Sequence, residues 1–192
     1  MIRRCEWSGN SQLMIDYHDN EWGDPLHDDR KLFEFLVLDC FQAGLSWEIV
    51  LKKRESFRSA FDGFDPERIS NFSPSKIQSL LKDPAIIRNR LKVESTVSNA
   101  ARFLDVQEQF GSFDSYIWNF TGGRTVVNSW RNMSEIPANT PISDAMSRDL
   151  KKKGFKFVGS TICYAFMQAA GMVNDHTVDC FRYKELVASS NQ

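Results

Sequence analysis

Apolar residues recur at helical spacing along almost the whole chain, and only Arg124 to Trp130 has the character of a strand. Helices must therefore shelter one another, because that single stretch is too short to build a sheet. The spacing predicts a helix from about Asp28 to Phe41, acid-rich at its start and closing near Gly44. A second is expected from about Ser46 to Phe61, with Ile49, Val50, Phe57 and Phe61 inward and Lys52, Lys53, Arg54 and Arg58 mostly outward. Asp65-Pro66-Glu67 and Ser73-Pro74 each read as an N-cap followed by proline. Further helices are expected from the late 80s to Phe110, from Phe113 to Phe120, from a cap at Ser143 to Gly154, and from near Gly159 to near Gly171. No repeat or linker intervenes. The expectation is an all-α fold: one compact helical domain over residues 1–192, with its two ends brought together.

With 192 residues, 42% of them hydrophobic and 26% charged, the chain can bury one sizeable core. Its formal net charge of −1 rules out a polycation. Attraction to nucleic acid would have to come from local patches: Lys52-Lys53-Arg54, Arg88 to Lys92, or Lys151 to Lys156. A solvated helix face explains each patch equally simply. The opening MIRRCEWSGN has no apolar core of a secretory leader. The uncharged run Phe157 to Asn174 carries Gly159, Ser160, Thr161, Gln168 and Gly171, and reads as a buried helix rather than a membrane span. A cytoplasmic setting is expected, in which the four cysteines stay thiols. No membrane partner is expected, and the chain is taken as a monomer.

Three groups of residues could carry chemistry. Asp39 sits inside the apolar run LVLDCFQAGLSW, where an unpaired carboxylate costs several kcal/mol and calls for a partner or a task. Tyr17, Trp22, Trp47 and Trp7 lie in the same quarter of the chain and would suit a slot for a flat polar ring, or they simply fill the core. Second, His176-Thr-Val-Asp-Cys180 would place two ligand types on one helix face, and Cys5 with His18 would complete a tetrahedral zinc set tying the chain ends together. Coincidence explains either pair alone. Third, Lys151 to Thr161 combines a basic helix end, a glycine-bounded turn and a new helix start, suited to a phosphate oxygen or to an ordinary turn.

Tyr17-His-Asp-Asn-Glu-Trp-Gly23, Phe41-Gln-Ala-Gly-Leu-Ser-Trp47, Leu51-Lys-Lys-Arg-Glu55, Ile86-Ile-Arg-Asn-Arg90, Gly154-Phe-Lys-Phe-Val-Gly159 and Val173-Asn-Asp-His176, in that order, closely resemble the 3-methyladenine DNA glycosylase I family. The resemblance covers roughly residues 3 to 182. It implies an all-α fold of the helix-hairpin-helix glycosylase superfamily that excises 3-methyladenine from alkylated double-stranded DNA and leaves an abasic site. It implies a structural Zn2+ held by Cys5, His18, His176 and Cys180. The hairpin residues Lys153, Gly154, Lys156, Gly159, Ser160 and Thr161 would meet DNA phosphates. Asp39 and Tyr17 carry over as catalytic, with Trp47, Trp22 and Trp7 binding the base. The sequence departs from the family pattern at two neighbouring positions, with Asp39 for a glutamate and Cys40, expected as a packed thiol, for a glycine.

That resemblance predicts a chemistry. An N3-alkylated adenine is a cation whose glycosidic bond is already weak, so an ionised Asp39 would complement its charge and accept from its amino edge. Tyr17 would orient the base, Trp47 would stack on it, and water would attack. No lysine has a case for a Schiff base, and Asp175 is the other acid of interest. A non-catalytic reader of damaged DNA is the rival reading; a zinc hydrolase is disfavoured by the filled ligand set.

Overall fold

The computed structural model describes residues 2–189. Eleven α-helices run through them: α1 (Gln12–Asn20), α2 (Asp29–Gln42), α3 (Trp47–Lys52), α4 (Arg54–Ala60), α5 (Pro66–Ser70), α6 (Pro74–Leu80), α7 (Arg90–Phe110), α8 (Phe113–Trp118), α9 (Pro141–Lys152), α10 (Ser160–Ala169) and α11 (Phe181–Ser189). Two short strands, β1 (Val126–Val127) and β2 (Val173–Asn174), pair in parallel, Val126 beside Val173.

Helix α2 is the axis. Every residue from Leu32 to Phe41 is buried, as a helix without a polar face must be, and α3, α7, α8 and α10 pack around it. Asp28 caps its start by accepting from the Lys31 amide. At its other end Lys92, an apparent surface lysine of the 88–92 patch, is buried and donates to the carbonyls of Phe41 and Ala43 at 2.8 and 2.6 Å. One ammonium from α7 thereby satisfies carbonyls at the end of α2 and fixes the 43–46 turn that presents Trp47.

Several helix expectations are met. Asp65 and Ser73 cap α5 and α6 with proline at the first turn, and the Asp28–Phe41 and Gly159–Gly171 segments are helical as expected. Others are corrected. The 46–61 helix is broken at Lys53, whose backbone (φ −102°, ψ 0°) leaves the helix while its ammonium reaches the carbonyls of Pro84 and Ala85. Ile49 is 42% exposed while Val50, Phe57 and Phe61 are buried, because positions 50, 57 and 61 share one helix face and 49 lies about 100° round from it. The segment after Phe113 tightens from α8 into a 3₁₀ turn at Asn119–Thr121. Thr140, not Ser143, caps α9; Ser143 is the reciprocal partner in a capping box. The 124–130 stretch does find a ladder, with β2 supplying the partner.

Gly171 marks a close approach. At φ +67° its missing Cβ would lie 2.4–2.5 Å from the Asp24–Pro25 backbone, where the Leu26 amide bonds the Ala170 carbonyl. Gly122, at φ +68°, has open space around the same position. Gly122→Ala should therefore cost only the left-handed strain, about 1–2 kcal/mol. Gly171→Ala should cost several kcal/mol more in urea unfolding, because backbone rather than a side chain must move; equal losses would contradict this packing.

Candidate functional site

A cavity of about 270 Å³ opens beside α2, lined by Trp7, Tyr17, Trp22, Asp39 and Trp47, with Met14, Gln42, Met133, Ile136, Ala165, Gln168 and Ala169 completing its wall. The five residues expected from sequence thus meet in one place. Tyr17 comes from α1, Asp39 from the middle of α2, and Trp47 from the first turn of α3. The rings brace one another: Tyr17 and Trp47 centroids lie 5.3 Å apart, Trp7 and Trp22 4.9 Å.

Asp39 is 2% exposed, and its Oδ2 has no hydrogen-bond partner; neither do the indole nitrogens of Trp7 and Trp47. Burial alone pushes the Asp39 carboxyl well above its ordinary range. Burial, then the nearby charges of Asp39 and Glu21, pushes Tyr17 up as well. The empty cavity therefore favours a neutral acid, and an incoming cation would favour the anion. Cys40, beside it, is a buried thiol directed at the Phe157 carbonyl, 3.4 Å away, so α2 touches the 153–159 turn directly.

Cys5, His18, His176 and Cys180 converge, all buried, with their ligand atoms within 4.8 Å of one another. The three sulfur–nitrogen separations from Cys5 to His176 and from Cys180 to His18 and His176 are 3.5, 3.5 and 3.6 Å. A tetrahedron with Zn–S about 2.3 Å and Zn–N about 2.0–2.1 Å has S···N edges of about 3.5–3.6 Å, so the set fits zinc. Both imidazoles are oriented from outside. His18 Nδ1 meets Asp19 at 2.7 Å, itself held by Arg4, and His176 Nε2 meets the Trp22 carbonyl at 3.0 Å. Trp22 thus belongs to the cavity wall and to the cluster's outer support. The expected helix over 176–180 is corrected: His176 and Cys180 lie in a bend and turn, and the chain ends meet where the Phe181 amide bonds the Arg3 carbonyl.

The 153–159 turn joins α9 to α10. Gly154, at φ +91°, ends α9 with amide bonds from Gly154 to Lys151 and from Phe155 to Leu150, a Schellman closure sealed by buried Leu150 and Phe155. Asn99 grips the Lys156 backbone with both side-chain atoms, at 2.8 and 3.0 Å. Gly159 precedes α10, whose first amides have no side-chain cap; Lys156 and Thr161 are exposed there. Two expected contacts are redirected. The Lys153 ammonium lies over the Phe110 and Tyr116 rings, near Gln109, and the Ser160 hydroxyl turns inward to Asp144 and Ser143. Asp175 is also clear of the cavity: it is 1% exposed and surrounded by donors from Asn128, Trp130, Tyr164 and Gln168.

A family model for methyladenine glycosylase matches residues 7–183. The chain belongs to the methyladenine glycosylase family. Within it, DNA-3-methyladenine glycosylase 1 of Escherichia coli (strain K12) is 46% identical over 182 residues, 95% of this chain and 97% of that one. A crystal structure of 3-methyladenine DNA glycosylase I superposes with a TM-score of 0.91 at 48% identity, covering 93% of this chain and 98% of the other. A single-substitution variant of 3-methyladenine DNA glycosylase I, in complex with 3-methyladenine, superposes at 0.90 with 32% identity over 93% and 96%.

Sequence reasoning did not single out Met14, Gln42, Met133, Ile136, Ala165, Gln168 or Ala169. Only Gln168 carries a signal, as the one long polar side chain in an uncharged helix.

The raised Asp39 acid has a consequence for folding. Its neutral form is favoured by the folded state, so its contribution is full below the ordinary value of 3.8 and is lost as pH rises through the raised one. Asp39→Asn should melt higher than the parent at pH 8, by about 1–3 kcal/mol or a few degrees, with the gap closing toward pH 4. A variant no more stable at pH 8 would show that the carboxylate has a partner.

Proposed function

We propose that this protein is a monofunctional glycosylase of base excision repair, which turns N3-methylated adenine out of alkylated duplex DNA and hydrolyses its glycosidic bond, leaving an abasic site. The unpartnered Asp39 carboxyl inside an aromatic cavity carries this reading. Family membership supports it, since the relatives compared bear that activity in their names.

A stacked base is out of reach, so the nucleotide is turned outward at a cost of about a few kcal/mol. Indole and phenol rings favour a delocalised cation over a neutral adenine. As the cation enters, its charge favours the Asp39 carboxylate, the acid's proton passes to solvent, and the carboxylate pairs with the base and accepts from its amino edge. The expected ionised Asp39 thus describes the loaded cavity rather than the empty one. Tyr17 orients the base, Trp47 stacks on it, and Trp7 and Trp22 close the wall. The base leaves without prior protonation, and water attacks the sugar. The chain works as one domain and as a monomer in a cytoplasmic setting.

For DNA, the exposed Lys156 and the free amides of Gly159, Ser160 and Thr161 at the start of α10 form the phosphate-facing part of a helix-hairpin-helix element. Gly154 shapes the turn, and Lys153 contributes positive charge from its side. Cys5, His18, His176 and Cys180 hold a structural zinc, which supplies folding free energy.

The pure protein should release 3-methyladenine from methylated duplex DNA, and Asp39→Asn should lower kcat/KM about 10²–10³-fold. In the parent, kcat/KM should rise with pH as Asp39 loses its proton, a limb absent from the variant. DNA binding with no released base would favour the non-catalytic reader, to which the shorter Asp39 lends some support.

Cys180→Ser should lower both zinc content and Tm, with the zinc that remains tracking the folded fraction. A metal-free parent of equal stability would contradict the structural site.

A further inference from the structure

We propose that Gln168 reads the amino group of the base held in the cavity, and that Asp175, buried behind the wall, fixes the direction in which Gln168 reads. The inference rests on the function proposed above and concerns the same cavity.

Helix α10 carries Gln168 to the cavity wall, where its Nε2 donates to Asp175 Oδ2 at 2.7 Å. That oxygen also accepts from the Tyr164 hydroxyl at 2.5 Å. The other, Oδ1, accepts from Asn128 Nδ2 and Trp130 Nε1, each at 2.7 Å. A carboxylate offers about four acceptor positions, and all four are filled by donors. An amide against such a group must present its NH2. Reversing it would oppose carbonyl to carboxylate and leave a buried oxygen without its donor. Gln168 Oε1 is therefore the end left for the cavity, and no described residue bonds it.

The residues lining the cavity then bring two acceptor groups, the Asp39 carboxyl and Gln168 Oε1, and two indoles, Trp7 and Trp47, whose buried N–H groups have no partner. An adenine ring presents the complement: two N–H donors on its exocyclic amine, and acceptors at its ring nitrogens. A purine with an oxygen at C6 turns an acceptor toward acceptors, so its binding leaves polar groups unpaired on both sides. Gln168 is thus a specificity contact, and Asp175 a positioning residue that acts through it.

The test compares two free bases whose heavy atoms differ only at C6, 3-methyladenine and 3-methylhypoxanthine, bound to the full chain and followed by tryptophan fluorescence. The parent should prefer the amino base at least tenfold. Gln168→Met, of similar length but without the acceptor, should bind 3-methyladenine about tenfold more weakly and 3-methylhypoxanthine unchanged, so that the preference collapses. Asp175→Asn, which can present NH2 to Gln168 and let its amide reverse, should narrow the preference too. Should that variant not fold, Gln168→Met decides alone. A preference unchanged in Gln168→Met, whether both affinities fall together or neither moves, overturns the proposal. Base release from methylated DNA is measured alongside. A parent that releases nothing yet prefers the amino base refutes the proposed reaction and leaves this reading of Gln168 standing.

Discussion

The structure turns on one carboxyl group kept out of water without a partner. Asp39 lies midway along the most enclosed helix, 2% exposed, with one oxygen bonded to nothing and no cation offsetting its burial. Leaving a polar group unsatisfied in such a place costs about 1–3 kcal/mol. Two indole N–H groups on the same wall are left unsatisfied as well. All three groups belong to residues that line one cavity, and a flat cation bearing both donors and acceptors suits the chemistry of that wall.

The supports around the cavity follow from that need. Lys92 holds the end of α2 and the turn before Trp47. The Cys5, His18, His176 and Cys180 cluster fastens the two chain ends, and through the Trp22 carbonyl on His176 it reaches the cavity wall. Cys40 and Asn99 hold the turn between α9 and α10 against α2 and α7. Asp175 ties the segment around Asn128 and Trp130 to α10, on the side where Met133 and Ile136 close the wall. Arg54 braces the outer side by joining Glu21 and Glu34.

Much of this was legible before any coordinates. A lone acid inside an apolar run announces itself, and so do capped prolines at the starts of α5 and α6. The four metal-ligating side chains were legible as residue types, but their geometry was not: His176 and Cys180 meet through a turn, which spacing cannot distinguish from a helix. Periodicity missed the break at Lys53, because it is stabilised by carbonyls about thirty residues further along the chain. Ile49 was assigned to the wrong side although it lies about 100° round the helix from buried Val50. Helices α1 and α11 gave no clear pattern: each is only nine residues long, and α1 packs mainly against α3 and the preceding turn at Glu6–Ser8. Lys153 looked like a free cation, yet distant aromatic rings claim it. Asp175 and Gln168 show the limit most clearly, because a hydrogen-bond network fixes their direction and the chain order hides it.

The most direct test of the central claim is calorimetric binding of a permanently cationic base, 3,9-dimethyladeninium, against neutral 9-methyladenine, in buffers of different ionisation enthalpy. The account predicts tighter binding of the cation, an advantage that grows with pH, and release of up to one proton on binding at neutral pH that disappears in Asp39→Asn. Equal affinities with no proton released would mean that the acid at position 39 does not receive a charged purine.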